Sequence, residues 1–148
     1  MKNLRARFLL VAVLLLPAIF IFSSCGKDDD PTPPPAGVFT WTTAGATYTA
    51  DKDTAFISGP FSIIASKDAS LPSIKSFQIY LSAFATGAYT LSATGDQINY
   101  FTSAGLVTSQ SGTLNITATG STVSGNFTTT LTGGILMTGT FTNVPVKP

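Results

Sequence analysis

The stretch Ile74-Lys75-Ser76-Phe77-Gln78-Ile79-Tyr80-Leu81-Ser82-Ala83-Phe84 decides the fold class of this 148-residue chain. Phe77, Ile79 and Leu81 alternate with Ser76, Gln78, Tyr80 and Ser82, and an extended backbone sends successive side chains to opposite faces. One row therefore meets a core and the other meets water or a second layer. A helix would need apolar residues three and four apart, and no segment after residue 37 sustains that stripe. The same alternation predicts strands over 38–42, 46–50, 54–58, 61–66, 74–84, 88–93, 97–102, 112–118, 122–131 and 135–142. Gly59-Pro60, Thr94-Gly95-Asp96, Thr119-Gly120-Ser121 and Thr132-Gly133-Gly134 supply turns between them.

Further inward sets follow from the alternation. They are Tyr89, Leu91 and Ala93; Leu114, Ile116 and Ala118; Val123, Phe127 and Leu131; and Ile135, Met137 and Phe141. Gly125-Asn126-Phe127-Thr128 echoes Gly139-Thr140-Phe141-Thr142, one hairpin solution used twice rather than a long-period repeat. The expected architecture is all-β, an antiparallel sandwich or flattened barrel of about eight to ten short strands.

Upstream of the strands the chain changes character. Lys2, Arg5 and Arg7 precede an apolar run over residues 8–22, followed by Ser23, Ser24 and Cys25, the sole cysteine. At about 1.5 Å per residue the 15-residue run would rise only ~22 Å as a helix, short of a bilayer core of about 30 Å. It reads as the apolar region of a cleaved signal peptide. Residues 1–24 are then the signal peptide, 25–37 a tether and 38–148 the β-domain. Pro31, Pro33, Pro34 and Pro35 favour polyproline II, and 12 residues at about 3.1 Å each hold a domain up to ~37 Å from its attachment.

Removing residues 1–24 from 148 leaves 124, with five Lys against seven Asp, a formal side-chain charge of 5 minus 7, or −2. No basic patch is left for nucleic acid. That part also contains no His, Arg or Glu, which excludes Ser-His-Asp and Cys-His nucleophiles and argues against zinc. Asp51, Asp53, Asp68 and Asp96 stand in turn-like contexts rather than as a carboxyl pair across a sugar. Asp51-Lys52-Asp53 is a poor calcium loop for want of a third carboxylate. The expectation is a protein that is not an enzyme and has no cofactor or metal.

Phe22-Ser23-Ser24-Cys25 resembles a bacterial lipobox, with Phe where Leu is usual. Lys27, Asp28, Asp29 and Asp30 resemble the surface-export signal of Bacteroidota lipoproteins. Trp41 with Gly45-Ala46-Thr47-Tyr48, Gly87-Ala88-Tyr89-Thr90-Leu91, Ser111-Gly112-Thr113-Leu114-Asn115-Ile116-Thr117, Ser124-Gly125-Asn126-Phe127 and Gly139-Thr140-Phe141 are similar to small Bacteroidota surface lipoproteins of an uncharacterised family. The resemblance implies acylation, palmitate included, at Cys25, and an outer-membrane location facing the cell exterior. Three acyl chains anchor durably where one binds only marginally. Asp53-Thr54-Ala55 resembles an O-glycosylation motif, making Thr54 the candidate acceptor.

Flat aromatic faces are the remaining binding chemistry, and Trp41 and Tyr80 are the candidate ligand contacts. The function expected is a non-enzymatic binding or structural accessory of the envelope, with the membrane as partner through Cys25 and a glycan or envelope protein as further partner. The alternatives are a lipocalin-like carrier of a small apolar ligand and a glycan-binding module. A carrier requires an apolar hollow between its sheets.

Overall fold

The structure, a computed structural model, describes residues 37–68 and 74–148. Cys25, Lys27, Asp28, Asp29 and Asp30, with the segments expected to be a signal peptide and most of a tether, lie outside the described residues. The domain is all-β. Its strands are β1 (Val38–Thr43), β2 (Ala46–Thr49), β3 (Lys52–Phe56), β4 (Phe61–Lys67), β5 (Lys75–Leu81), β6 (Gly87–Ser92), β7 (Gln97–Thr102), β8 (Gly105–Ala118), β9 (Thr122–Leu131) and β10 (Ile135–Lys147).

Seven strands close a barrel in the order β10-β3-β4-β5-β7-β8-β9, with β9 returning to β10, while β1, β2 and β6 lie outside the ring. Six of the seven junctions are antiparallel and one is parallel, Val146 beside Ala55 and Lys147 beside Phe56. The barrel is thus the expected antiparallel one at every junction but this one. A closed ring of alternating directions needs an even number of strands, so a ring of seven must contain a parallel junction.

The barrel is flattened because β8 and β10 each serve two sheets. Along one edge of β8, residues 105–108 pair with β7 and residues 111–116 pair with β6. Along one edge of β10, residues 137–142 pair with β1 and residues 146–147 with β3. The first sheet is therefore β2-β1-β10-β9-β8-β6, and the second contains β3, β4, β5 and β7 with the far ends of β10 and β8. Register irregularities fall at the crossing points, between Ser109 and Ser111 and between Phe141 and Val144, as bulges do where a strand must bend.

Each crossing is held by a serine hydroxyl. Ser109, fully buried, accepts a hydrogen bond from Ile98 N at 3.0 Å and donates to Ser92 O at 3.3 Å, tying β7 and β6 to β8. Ser124 Oγ accepts from Asn143 N at 2.9 Å beside the β10 bulge, where Asn143 takes a positive φ of 54°. Ser109→Ala leaves the Ile98 N–H without its partner, and an orphaned buried donor costs about 1–3 kcal/mol. A drop of that size in chemical denaturation, with hydrogen-exchange protection at Ile98 lost, is the expected result.

Phe77, Ile79 and Leu81 face the core as predicted, and so do Leu91, Leu114, Ile116, Val123, Phe127, Leu131, Met137 and Phe141. Three residues assigned inward do not. Ala93 is exposed just past the end of β6, Ala118 is exposed although it pairs with Ser124 because a second irregularity after Ile116 interrupts the alternation, and Ile135 is 40% exposed at the end of its hairpin. Tyr89 is half-buried, its hydroxyl donating to Ala85 O at 2.7 Å. The β5 strand ends at Leu81 rather than at residue 84, because the Ser82 N–H donates to Asp96 Oδ1 at 2.5 Å and leaves the ladder. Phe84 then folds back onto Phe61, ring centroids 4.6 Å apart.

Between the sheets lies an aromatic stack. The Phe77 ring sits 5.4 Å from Phe39, 5.3 Å from Trp41, 5.2 Å from Tyr100 and 5.4 Å from Phe127, within the range of favourable ring pairs. Burial pushes the Tyr100 hydroxyl above its ordinary pKa, partly offset by the Trp41 side chain.

The β1–β2 connection has two residues, Ala44 with φ 49° and Gly45 with φ 79°. Two positive φ values suit a primed hairpin turn, which favours Asn-Gly. Alanine in that region carries about 1–2 kcal/mol of steric cost. Ala44→Asn is expected to raise the melting temperature without changing the spectrum of the folded protein.

Candidate functional site: a threonine-faced sheet

Strand alternation in the first sheet buries Phe39, Trp41, Phe127, Met137 and Phe141 and turns the intervening residues outward. Register then decides what the outer surface looks like. Thr47 pairs with Thr42, Thr42 with Thr138, Thr138 with Thr128, Thr128 with Thr113 and Thr113 with Thr90. Six strands thus contribute one threonine each to a continuous row. The neighbouring row runs Thr49, Thr40, Thr140, Asn126, Asn115 and Ala88.

Threonine suits this surface because its branched Cβ packs against cross-strand neighbours and restricts χ1. Two hydroxyl pairs bridge strands, Thr40 Oγ1 to Thr140 Oγ1 at 2.9 Å and Thr42 Oγ1 to Thr47 Oγ1 at 2.8 Å. A groove of about 320 Å³ runs over Thr40, Thr42, Asn126, Thr128, Thr138 and Thr140, with Trp41, Phe127 and Gly139 also lining it. A second, of about 420 Å³, lies at the hairpin ends beside Ala44, Gly45, Ile135 and Leu136.

Neither row carries a charge. The charged side chains of the described residues are Asp51, Lys52, Asp53, Lys67, Asp68, Lys75, Asp96 and Lys147, on β3, β4, β5, the turns and the end of β10 that joins β3. The charges are therefore segregated from the threonine rows. Lys67 Nζ meets Asp51 Oδ1 at 3.3 Å, and the Asp68 N–H donates to Asp51 Oδ2 at 3.0 Å. The Asp68 hydrogen bond first, and Lys67 second, hold the Asp51 carboxyl below its ordinary pKa. Among the described residues no group of three or more His, Cys, Asp or Glu is arranged to hold a metal.

Asp53 is half-buried, and desolvation raises its pKa above the ordinary 3.8. A raised folded-state pKa makes the native form the better proton binder, so its contribution to stability is greatest below the unfolded pKa and is lost as pH rises through the folded one. Asp53→Asn is accordingly expected to raise stability near neutral pH and to lose that advantage in acid below the unfolded carboxyl pKa. Denaturant midpoints of both proteins across that range measure it.

The sequence-predicted contacts do not form a common site. Trp41 is 1% exposed and stacks on Tyr48 at 5.6 Å, so it is a core residue and offers no face to a ligand. Its indole sits in the row of Phe39 and Thr43, which alternation already placed opposite Thr40 and Thr42. Tyr80 lies half-exposed on the outer side of β5, between Ser62 and Gln97. Thr54 is half-exposed on β3, its hydroxyl donating to Asp53 O at 2.6 Å. Sequence reading missed the threonine rows. The signal was Thr-x-Thr at Thr40-Trp41-Thr42, Thr47-Tyr48-Thr49 and Thr138-Gly139-Thr140, but their alignment needed the strand order.

The fold and this surface together define a closed all-β barrel with one uncharged, hydroxyl-bearing sheet face. Comparison with protein-family models, curated proteins and solved structures finds no match to this chain.

Proposed function

We propose that this chain is a lipid-anchored protein of the outer membrane, facing the cell exterior, whose β-domain is a non-enzymatic binding module presented on a Pro-rich tether. Acylation at Cys25 supplies the membrane attachment, and Lys27, Asp28, Asp29 and Asp30 direct export to the surface. The observation that carries the binding role is the uncharged threonine face spanning six strands. The aromatic stack around Phe77 occupies the middle of the barrel, where a carrier would keep its hollow.

Metabolic labelling with a palmitate analogue tests the anchor. The wild-type chain is expected to take up label and sediment with membranes, whereas Cys25→Ser takes up none and becomes soluble. Protease added to intact cells should degrade the wild-type domain, and replacing Asp28, Asp29 and Asp30 by Ala should protect it. Labelling that persists in Cys25→Ser would refute the assignment.

A further inference from the structure

We infer that the threonine face binds the surface of ice. This deepens the proposed binding role of the same face and does not depend on the anchor. Adjacent strands lie about 4.8 Å apart, and residues two apart on a strand about 6.8 Å apart, so across each junction the paired register sets the residues of the two rows at near-rectangular corners, while sheet twist turns each strand roughly 20–25° from the last. Those two spacings lie close to the oxygen repeats on a prism plane of hexagonal ice. The pairs from Thr47 to Thr90 are directly opposed across five junctions, so the same local spacing recurs at each of them.

The side-chain chemistry agrees. Each threonine presents a hydroxyl, which joins a water lattice as donor and acceptor, and a methyl, around which water orders. The restricted χ1 and the Thr40–Thr140 and Thr42–Thr47 hydroxyl pairs limit reorganisation on binding. The groove of about 320 Å³ between the rows has room for on the order of ten waters.

Charge complementarity points the same way. A charged side chain keeps a hydration shell oriented toward itself and would break the lattice, and the rows have none while the described charges are gathered elsewhere. A neutral polysaccharide is the competing uncharged surface. Sugar rings bind best on flat aromatic faces, and neither outward row holds an aromatic; Trp41 and Phe127 line the floor of the groove but are only 1% and 3% exposed.

The test places the full-length chain, in mild detergent with a detergent-only control, around a single ice crystal whose growth and melting points are read separately. Expected are faceted crystals and a freezing point held below the melting point. Thr128→Lys with Thr138→Lys should lose both effects, and Gln78→Lys on the opposite sheet should retain them. Should the double variant fail to fold, Thr113→Lys alone, checked by its melting curve, serves in its place. Rounded crystals with the wild-type chain, or faceting that survives a folded threonine-to-lysine variant, overturn the inference. So does retention on crystalline cellulose with none on ice. A chain that labels with palmitate yet leaves ice unshaped keeps its anchor and loses this ligand.

Discussion

Phe77→Ala is expected to bring the domain close to global unfolding at ordinary temperatures. Phe77 is fully buried on β5, flanked by β4 and β7, and its ring meets four other aromatic rings from β1, β7 and β9. Truncating a buried phenylalanine costs about 3–5 kcal/mol, against a typical total of about 5–15 kcal/mol for a domain. The loss exceeds transfer free energy because the rings around the cavity come from both sheets and cannot all collapse into it. Urea denaturation with near-ultraviolet circular dichroism measures the effect. A loss below about 0.5 kcal/mol, the range of a surface substitution, would show that the stack does not hold the sheets together.

Gly139→Ala is the second large effect, and its origin is an aromatic-over-glycine exchange. Gly139 pairs with Phe127 and Phe141 pairs with Gly125, so each phenylalanine of the two echoed segments covers the glycine of the other. A Cβ on Gly139 would meet the Phe127 ring and come within 2.7 Å of Thr40 O; one on Gly125 would lie 2.6 Å from Phe141 Cζ and 2.5 Å from Asn115 O. Overpacking of this kind costs about 1–3 kcal/mol, and the backbone oxygens place these sites at the upper end. Phe127→Leu combined with Gly139→Ala should show a favourable coupling in a double-mutant cycle. Recovery should stay partial because the Thr40 carbonyl cannot yield. At Gly112 the added Cβ would meet Thr128 O and lie 2.7 Å from Thr129 Cα, so no side-chain substitution should rescue Gly112→Ala.

The same two glycine-phenylalanine segments illustrate how far the sequence carried. Their likeness was visible, and so was the inward direction of Phe127 and Phe141. That they answer each other could not be seen, because it depends on an antiparallel register across the β9–β10 hairpin. Trp41 is the opposite case. Alternation with Thr40 and Thr42 already implied burial beside Phe39, and reading it as a ligand contact set that period aside.

Residue periodicity by itself determined the all-β class, the number of strands and most of their faces, because alternation is a property of the local backbone and needs no partner. It failed at two places, residues 105–111 before the predicted β8 and residues 143–147 after the predicted β10. Ser109-Gln110-Ser111-Gly112 and Asn143-Val144-Pro145 resemble turns, yet each is a corner where one strand leaves one sheet and joins the other. A bent strand interrupts its own alternation, so only the neighbours on either side distinguish it from a loop. Closure of the barrel, its parallel junction and the alignment of six threonines in one row all arise at or between those corners. They are contacts between residues far apart in the chain, and only the tertiary structure could decide them.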